Sequence, residues 1–335
     1  MHIFLLFTLS LLSSFNAVSA PYSAPFWLPG GHLQTIYAAT LANAPSVNYR
    51  RERWELPDGD FVDTDWAEPA GELPPDTPIV VLFHGLEGNS HSSYSRSLMA
   101  TTMQHGWRGV VIHFRGCSGE PNLLPRVYYA GDTAEIQLML SRVRKHATQA
   151  PIYAAGVSLG ANALLKWLGE TGDAAKKIIS KAAAVSAPMD LAASAAALDT
   201  GLNRLLYTPN FVGTMRPKAL AFAQRFPGLI NIEKVKATRT IHDMDNAVTA
   251  VLYGAKDAED YYAKNASKPW LKGIRLTTLI LNAKNDPFVP AETLPSQSEV
   301  SEFITLEYPD TGGHVGFAGH DNWLPKRLID FFEAK

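Results

Sequence analysis

The chain has 335 residues, 46% of them hydrophobic and 19% charged, with a net charge of -2. That length buries a substantial core, and the interspersed charges leave no basic stripe for nucleic acid and no polybasic run for an anionic membrane. A single cysteine, Cys117, excludes an intrachain disulfide and a cysteine-based zinc site, and the zincin, P-loop and dinucleotide motifs are absent, so no metal or organic cofactor is implied.

Residues 1–20 form a hydrophobic leader whose apolar run has the length of a signal-peptide core and is too short for a comfortable membrane span. Ala17-Val18-Ser19 before Ala20 suits a signal peptidase, yet no Lys or Arg precedes the run. Two readings stay open: a weak signal peptide that exports the protein, or a misassigned start ahead of a cytoplasmic one. Residues 21–335 read as a single domain. Pro29-Gly30-Gly31 punctuates its beginning, and P-D-G-D at 57–60 joins two alternating stretches into a hairpin. The cluster Asp58, Asp60, Asp63, Asp65 does not fit the EF-hand spacing and reads as a solvated hairpin.

P-I-V-V-L-F-H-G follows as a β-branched run suited to a strand buried on both faces. A helix is expected over about 92–104, then a strand in W-R-G-V-V-I-H-F. The next helix sets Ile136, Met139, Leu140 and Val143 on one face, with Asp132 at its start. P-I-Y-A-A-G is a strand that runs into G-V-S-L-G and then a helix, A-N-A-L-L-K-W-L. Further strands fall in K-A-A-A-V-S-A-P, R-L-T-T-L-I-L-N-A and E-F-I-T-L-E-Y, and a closing helix in N-W-L-P-K-R-L-I-D-F-F-E. Alternating strands and helices predict an α/β fold: a mostly parallel central sheet with helices on both faces. About 189–272 is helix-like with no clear strand, which predicts a helical lid inserted between later strands.

Ser158 lies between Gly156 and Gly160 where a strand meets a helix. A sharp turn there strains the serine backbone and leaves its neighbours almost no room for side chains. The serine therefore reads as a nucleophile, with the N–H groups of Leu159 and Gly160 aimed at any oxyanion on it. It needs a base and an orienting carboxylate, which in α/β-hydrolases follow in the order serine, acid, histidine on later strand ends. Asp286 follows the L-I-L-N-A strand and His314 follows the last one. Asp310 competes as the acid but precedes His314 too closely to come from a separate strand end, and His320 is the weaker alternative base. Leu86, in His84-Gly85-Leu86-Glu87-Gly88, is the candidate for the second oxyanion-hole N–H, beside Leu159. His84 reads as a positional residue, and Cys117 lacks an activating partner.

Several stretches then combine: P-F-W-L-P-G-G-H-L-Q-T-I-Y, H-G-L-E-G-N-S-H-S-S-Y, R-G-C-S-G-E-P-N, G-V-S-L-G-A-N, N-A-K-N-D-P-F-V-P and G-G-H-V-G-F. Jointly they resemble the YheT-like branch of the α/β-hydrolase superfamily, over roughly residues 24 to 332. The resemblance implies a charge-relay set at Ser158, Asp286 and His314. It further implies an ester substrate with an apolar acyl chain, of the short- to medium-chain or acylglycerol kind. Relatives often carry Tyr-His at the position of Tyr128-Tyr129, and they begin without a hydrophobic leader. The latter favours the misassigned start. Transfer of the acyl group to an alcohol is the alternative chemistry, and a non-catalytic lipid carrier the alternative class.

Overall fold

The computed structural model of the protein describes residues 21–319 and 322–334. The hydrophobic leader and His320 lie outside them. Eight strands among the described residues form one sheet in the order β1-β2-β4-β3-β5-β6-β7-β8. The hairpin β1 (Arg50–Glu55) and β2 (Phe61–Ala67) is antiparallel and adds to the edge of β4 (Arg108–Ile112). All the others run parallel: β3 (Ile79–Phe83), β5 (Ile152–Val157), β6 (Lys181–Val185), β7 (Thr278–Leu281) and β8 (Ile304–Glu307). Every residue of β3 and β7 is buried, as a parallel strand covered on both faces requires.

Helices α3 (Thr133–His146) and α4 (Leu159–Thr171) cover one face of the sheet, packing Ile136, Leu140, Leu164 and Trp167 against Val81 and Ile152. The other face carries α2 (Ser93–Gln104) and the C-terminal helix α12 (Trp323–Glu333), which bring Met99, Leu328 and Phe332 onto Val80 and Leu279. Asp132 caps α3 by accepting from the Glu135 N–H, as its place before the apolar stripe foretells. A short helix not foreseen from the sequence, α1 (Gly30–Ile36), precedes the sheet.

Between β6 and β7 runs a purely helical insertion: α5 (Leu191–Leu198), α6 (Gly201–Leu206), α7 (Thr208–Arg225), α8 (Ile232–Ala237), α9 (Ile241–Met244), α10 (Ala250–Tyr253) and α11 (Ala258–Asn265). It has a core of its own, in which Val235, Met244, Tyr261 and Tyr262 are buried.

The acidic hairpin departs from the solvated reading. Asp60, Asp63 and Asp65 are buried. Arg115 meets Asp60 at 2.8 Å, Arg53 meets Asp63 at 2.8 Å and Arg51 meets Asp65 at 2.7 Å. The reason is position: Asp60 lies under the loop after β4, and Asp63 and Asp65 of β2 stand opposite the arginines of β1, so these carboxylates find their cations within the protein. Burial alone would raise the Asp65 pKa, but the paired Arg51, His113 and the Ser90 hydroxyl together hold it far below the usual range.

Gly156 and Gly160 let β5 turn directly into α4. A Cβ on Gly156 would lie 2.6 Å from the Ala161 Cα, and one on Gly160 would collide with the carbonyl oxygen of Phe83. Gly160→Ala therefore forces β3 and α4 apart, and urea unfolding should show a loss of about 3 kcal/mol or no soluble protein.

Candidate active site

Chain order swings from β3 out to β4 and back to β5 on the opposite side, so a crevice opens at the carboxyl ends of β3 and β5. Ser158 sits there with φ 52° and ψ -120°, a left-handed conformation that a serine adopts only under constraint. Its own N–H is tied to the Val185 carbonyl at 2.9 Å.

Three of the predicted side chains come together in a row. His314 Nε2 lies 2.9 Å from Ser158 Oγ, and His314 Nδ1 lies 2.8 Å from Asp286 Oδ2. With the carboxylate accepting from Nδ1–H, the Nε2 lone pair faces the serine hydroxyl. Asp286 is held in turn by the N–H groups of Phe288 (2.8 Å) and Val289 (3.2 Å), which donate to its Oδ1. The competing acid, Asp310, is instead 85% exposed in its side chain and paired with Lys284.

The loop after β3 presses on the elbow: a Cβ on Gly85 would lie 3.1 Å from Ser158 Cβ. Tyr94 takes the Gly85 N–H at 2.9 Å and Tyr128 takes that of Glu87 at 3.1 Å. Leu86 and Leu159 both line a cavity of about 810 Å³ that extends beneath the insertion, past Met215, Phe222 and Val248. Such a volume suits a small organic ligand. Below the loop, His84 accepts the Phe114 N–H at Nε2 (3.1 Å) and so donates from Nδ1 to the Gly85 carbonyl (2.8 Å). Burial pushes its pKa down to about 3, leaving a neutral strut. Cys117 also lines the cavity, and burial pushes its thiol up to about 12, far from a thiolate.

Sequence reasoning missed the residues that hold the histidine. Thr35 Oγ1 accepts the His314 N–H at 2.9 Å and donates to the Gly31 carbonyl at 2.7 Å. Gln34, wholly buried, accepts the Gly312 N–H at 2.8 Å, while Asn285 accepts that of Gly313 at 2.9 Å. Gly31 is glycine because a Cβ there would overlap the Asn285 carbonyl oxygen. On the following side, Ser186 Oγ accepts the N–H of Val315, whose φ of 55° is severe for a β-branched residue. The doubled glycine beside a polar Gln-Thr pair was the only local signal of this clamp. An aromatic wall completes the setting: Phe288 packs on His314 with centroids 4.4 Å apart, and Tyr207 of the insertion packs on Phe288 at 4.6 Å.

Among the described residues, no cluster of three His, Cys, Asp or Glu side chains is arranged to hold a metal ion, and no helix is long and apolar enough to cross a membrane.

Comparison with known proteins places this geometry in context. The α/β-hydrolase fold family matches residues 78–321. The chain is 36% identical over 315 residues to "Putative esterase YheT" of Escherichia coli (strain K12), covering 91% of this chain and 92% of that protein. It is 31% identical over 276 residues to the monoacylglycerol lipase of Saccharomyces cerevisiae, covering 80% of this chain and 59% of the relative. The solved esterase Pf2001 of Pyrococcus furiosus shares the fold, with a TM-score of 0.55 at 14% identity over 88% of this chain and 96% of that one.

Thr35→Val keeps the shape of the side chain but orphans the His314 N–H. We expect it to slow labelling of Ser158 by a fluorophosphonate about tenfold or more, with Thr35→Ser restoring the rate. An unchanged labelling rate in Thr35→Val would remove the clamp from the site.

Proposed function

The chain belongs to the α/β-hydrolase family and is a hydrolase of the esterase and lipase type; from that premise we propose a serine carboxylic-ester hydrolase built on Ser158, His314 and Asp286. The observation that carries the reading is the hydrogen-bonded row from Asp286 through His314 to a serine on a strained elbow. His314 Nε2 takes the Ser158 proton as Oγ attacks the ester carbonyl, and Asp286 steadies the imidazolium that results. The Leu86 and Leu159 N–H groups, the latter at the positive end of α4, donate to the developing oxyanion. His314 then protonates the departing alcohol, and a water activated by the same nitrogen releases the acid.

The insertion acts as a lid whose apolar residues receive the acyl chain, since Met215, Phe222 and Val248 line the same cavity as Leu159. An acyl ester of short to medium chain, or an acylglycerol as in the name of the yeast relative, fits a cavity with that lining.

Purified protein should hydrolyse p-nitrophenyl butyrate and take up a fluorophosphonate at Ser158. Ser158→Ala should lose both, with kcat down by about 10⁴-fold or more. Hydrolysis that persists in Ser158→Ala would defeat the mechanism.

A further inference from the structure

Glu87 follows the candidate oxyanion donor Leu86 and is held in a left-handed conformation with φ 57°. A residue other than glycine needs outside restraint to stay there. The restraint comes from both ends of the residue. Tyr128 Oη accepts the Glu87 N–H and donates back to its carboxylate Oε1, each at 3.1 Å. Tyr128 itself is immobilised by stacking on Phe114, with centroids 5.5 Å apart and planes 8° apart. The remaining carboxylate oxygen, Oε2, meets Lys218 Nζ at 2.8 Å. Lys218 belongs to α7 of the insertion, and its ammonium also donates to the Gly116 carbonyl on the loop after β4, at 3.3 Å.

We propose that Glu87 and Lys218 are positioning residues that make the oxyanion loop and the insertion a single unit: when α7 lies down, its ammonium completes the restraint that turns the Leu86 N–H toward Ser158. The proposal rests on the oxyanion role of Leu86 given above. The pair is asymmetric in a telling way, since the Glu87 side chain is 11% exposed and that of Lys218 52%. The carboxylate thus belongs to the fixed scaffold, and the lysine reaches to it from the surface of the insertion. An ion pair whose cation is half exposed, if it served stability alone, would be worth little and would leave the chemistry untouched. A pair that fixes the backbone on the oxyanion loop acts on the transition state, where charge develops on the substrate oxygen, and barely on ground-state binding.

The test uses the full chain with p-nitrophenyl butyrate, rates being expressed per fluorophosphonate-labelled site. Lys218→Met, which keeps the stem and removes the charge, should lower kcat about tenfold with KM within about twofold of wild type. Lys218→Arg should restore kcat to within about twofold, and the thermal midpoint should be the same in all three proteins. Glu87→Gln offers an independent arm with the same expected sign. A kcat per labelled site for Lys218→Met within about twofold of wild type would overturn the proposal, as would a rise in KM that accounts for the whole effect. Wild-type activity that does not depend on Ser158 would instead sink the ester-hydrolase reading, so the two failures are separable.

Discussion

The backbone of Ser158 is the constraint around which the rest of the molecule is arranged. Holding a serine at φ 52° costs on the order of 1–3 kcal/mol. What holds it is the sheet: β5 lies between β3 and β6, Gly156 is paired on both sides and Val157 with Val185, and α4 is packed onto the same core. Gly156 and Gly160 exist because the chain passes through itself there at distances that admit hydrogen and nothing larger. The same squeeze brings the loop after β3 against the serine, so that Gly85 and Ser158 are neighbours by geometry although 73 residues apart in sequence.

A rigid serine is of use only if its partner is equally well placed, and His314 sits on a loop with little regular structure of its own. Its position is borrowed. Thr35, Gln34 and Asn285 take the N–H groups of three consecutive residues, Gly312 to His314, and Ser186 takes that of the next. Moving the loop would take four N–H donors from these acceptors at once, which makes displacement costly. The hydrogen bonds come from side chains, so the loop is fixed without being forced into a strand.

The sequence made the periodic elements and the three chemical groups legible, because each rests on a local rule. Buried parallel strands appear as β-branched runs, α3 as an apolar stripe behind a capping Asp132, and the elbow as glycines between strand and helix. Asp286 and His314 follow from their places after β7 and β8. Pairings between distant segments left no comparable mark. Asp60, just before β2, looks like part of a solvated turn until Arg115 on the loop after β4 is in place beside it. Helix α1 spans only seven residues and opens on Pro-Gly-Gly, which signals a turn; the partners of its polar residues lie at the far end of the chain. Tyr128 illustrates the same limit, since nothing near it in sequence points to Glu87.

The wedge of α1 between the Asp286 and His314 loops has a consequence for recombining this scaffold with its relatives. Residues 28–36 and 285–315 meet through complementary shapes as well as hydrogen bonds: Gly31 fits under the Asn285 carbonyl, and a Cβ on Gly313 would lie 2.7 Å from the Gly31 carbonyl oxygen. The two stretches are thus one heritable module split across nearly the full length of the chain. A chimera with its crossover anywhere in the middle would inherit a complete sheet from its parents and a mismatched cradle for the histidine. Crossovers that exchange only the insertion, between β6 and β7, keep both stretches from one parent, and what they must then match is the packing of Tyr207 on Phe288 and the pairing of Lys218 with Glu87.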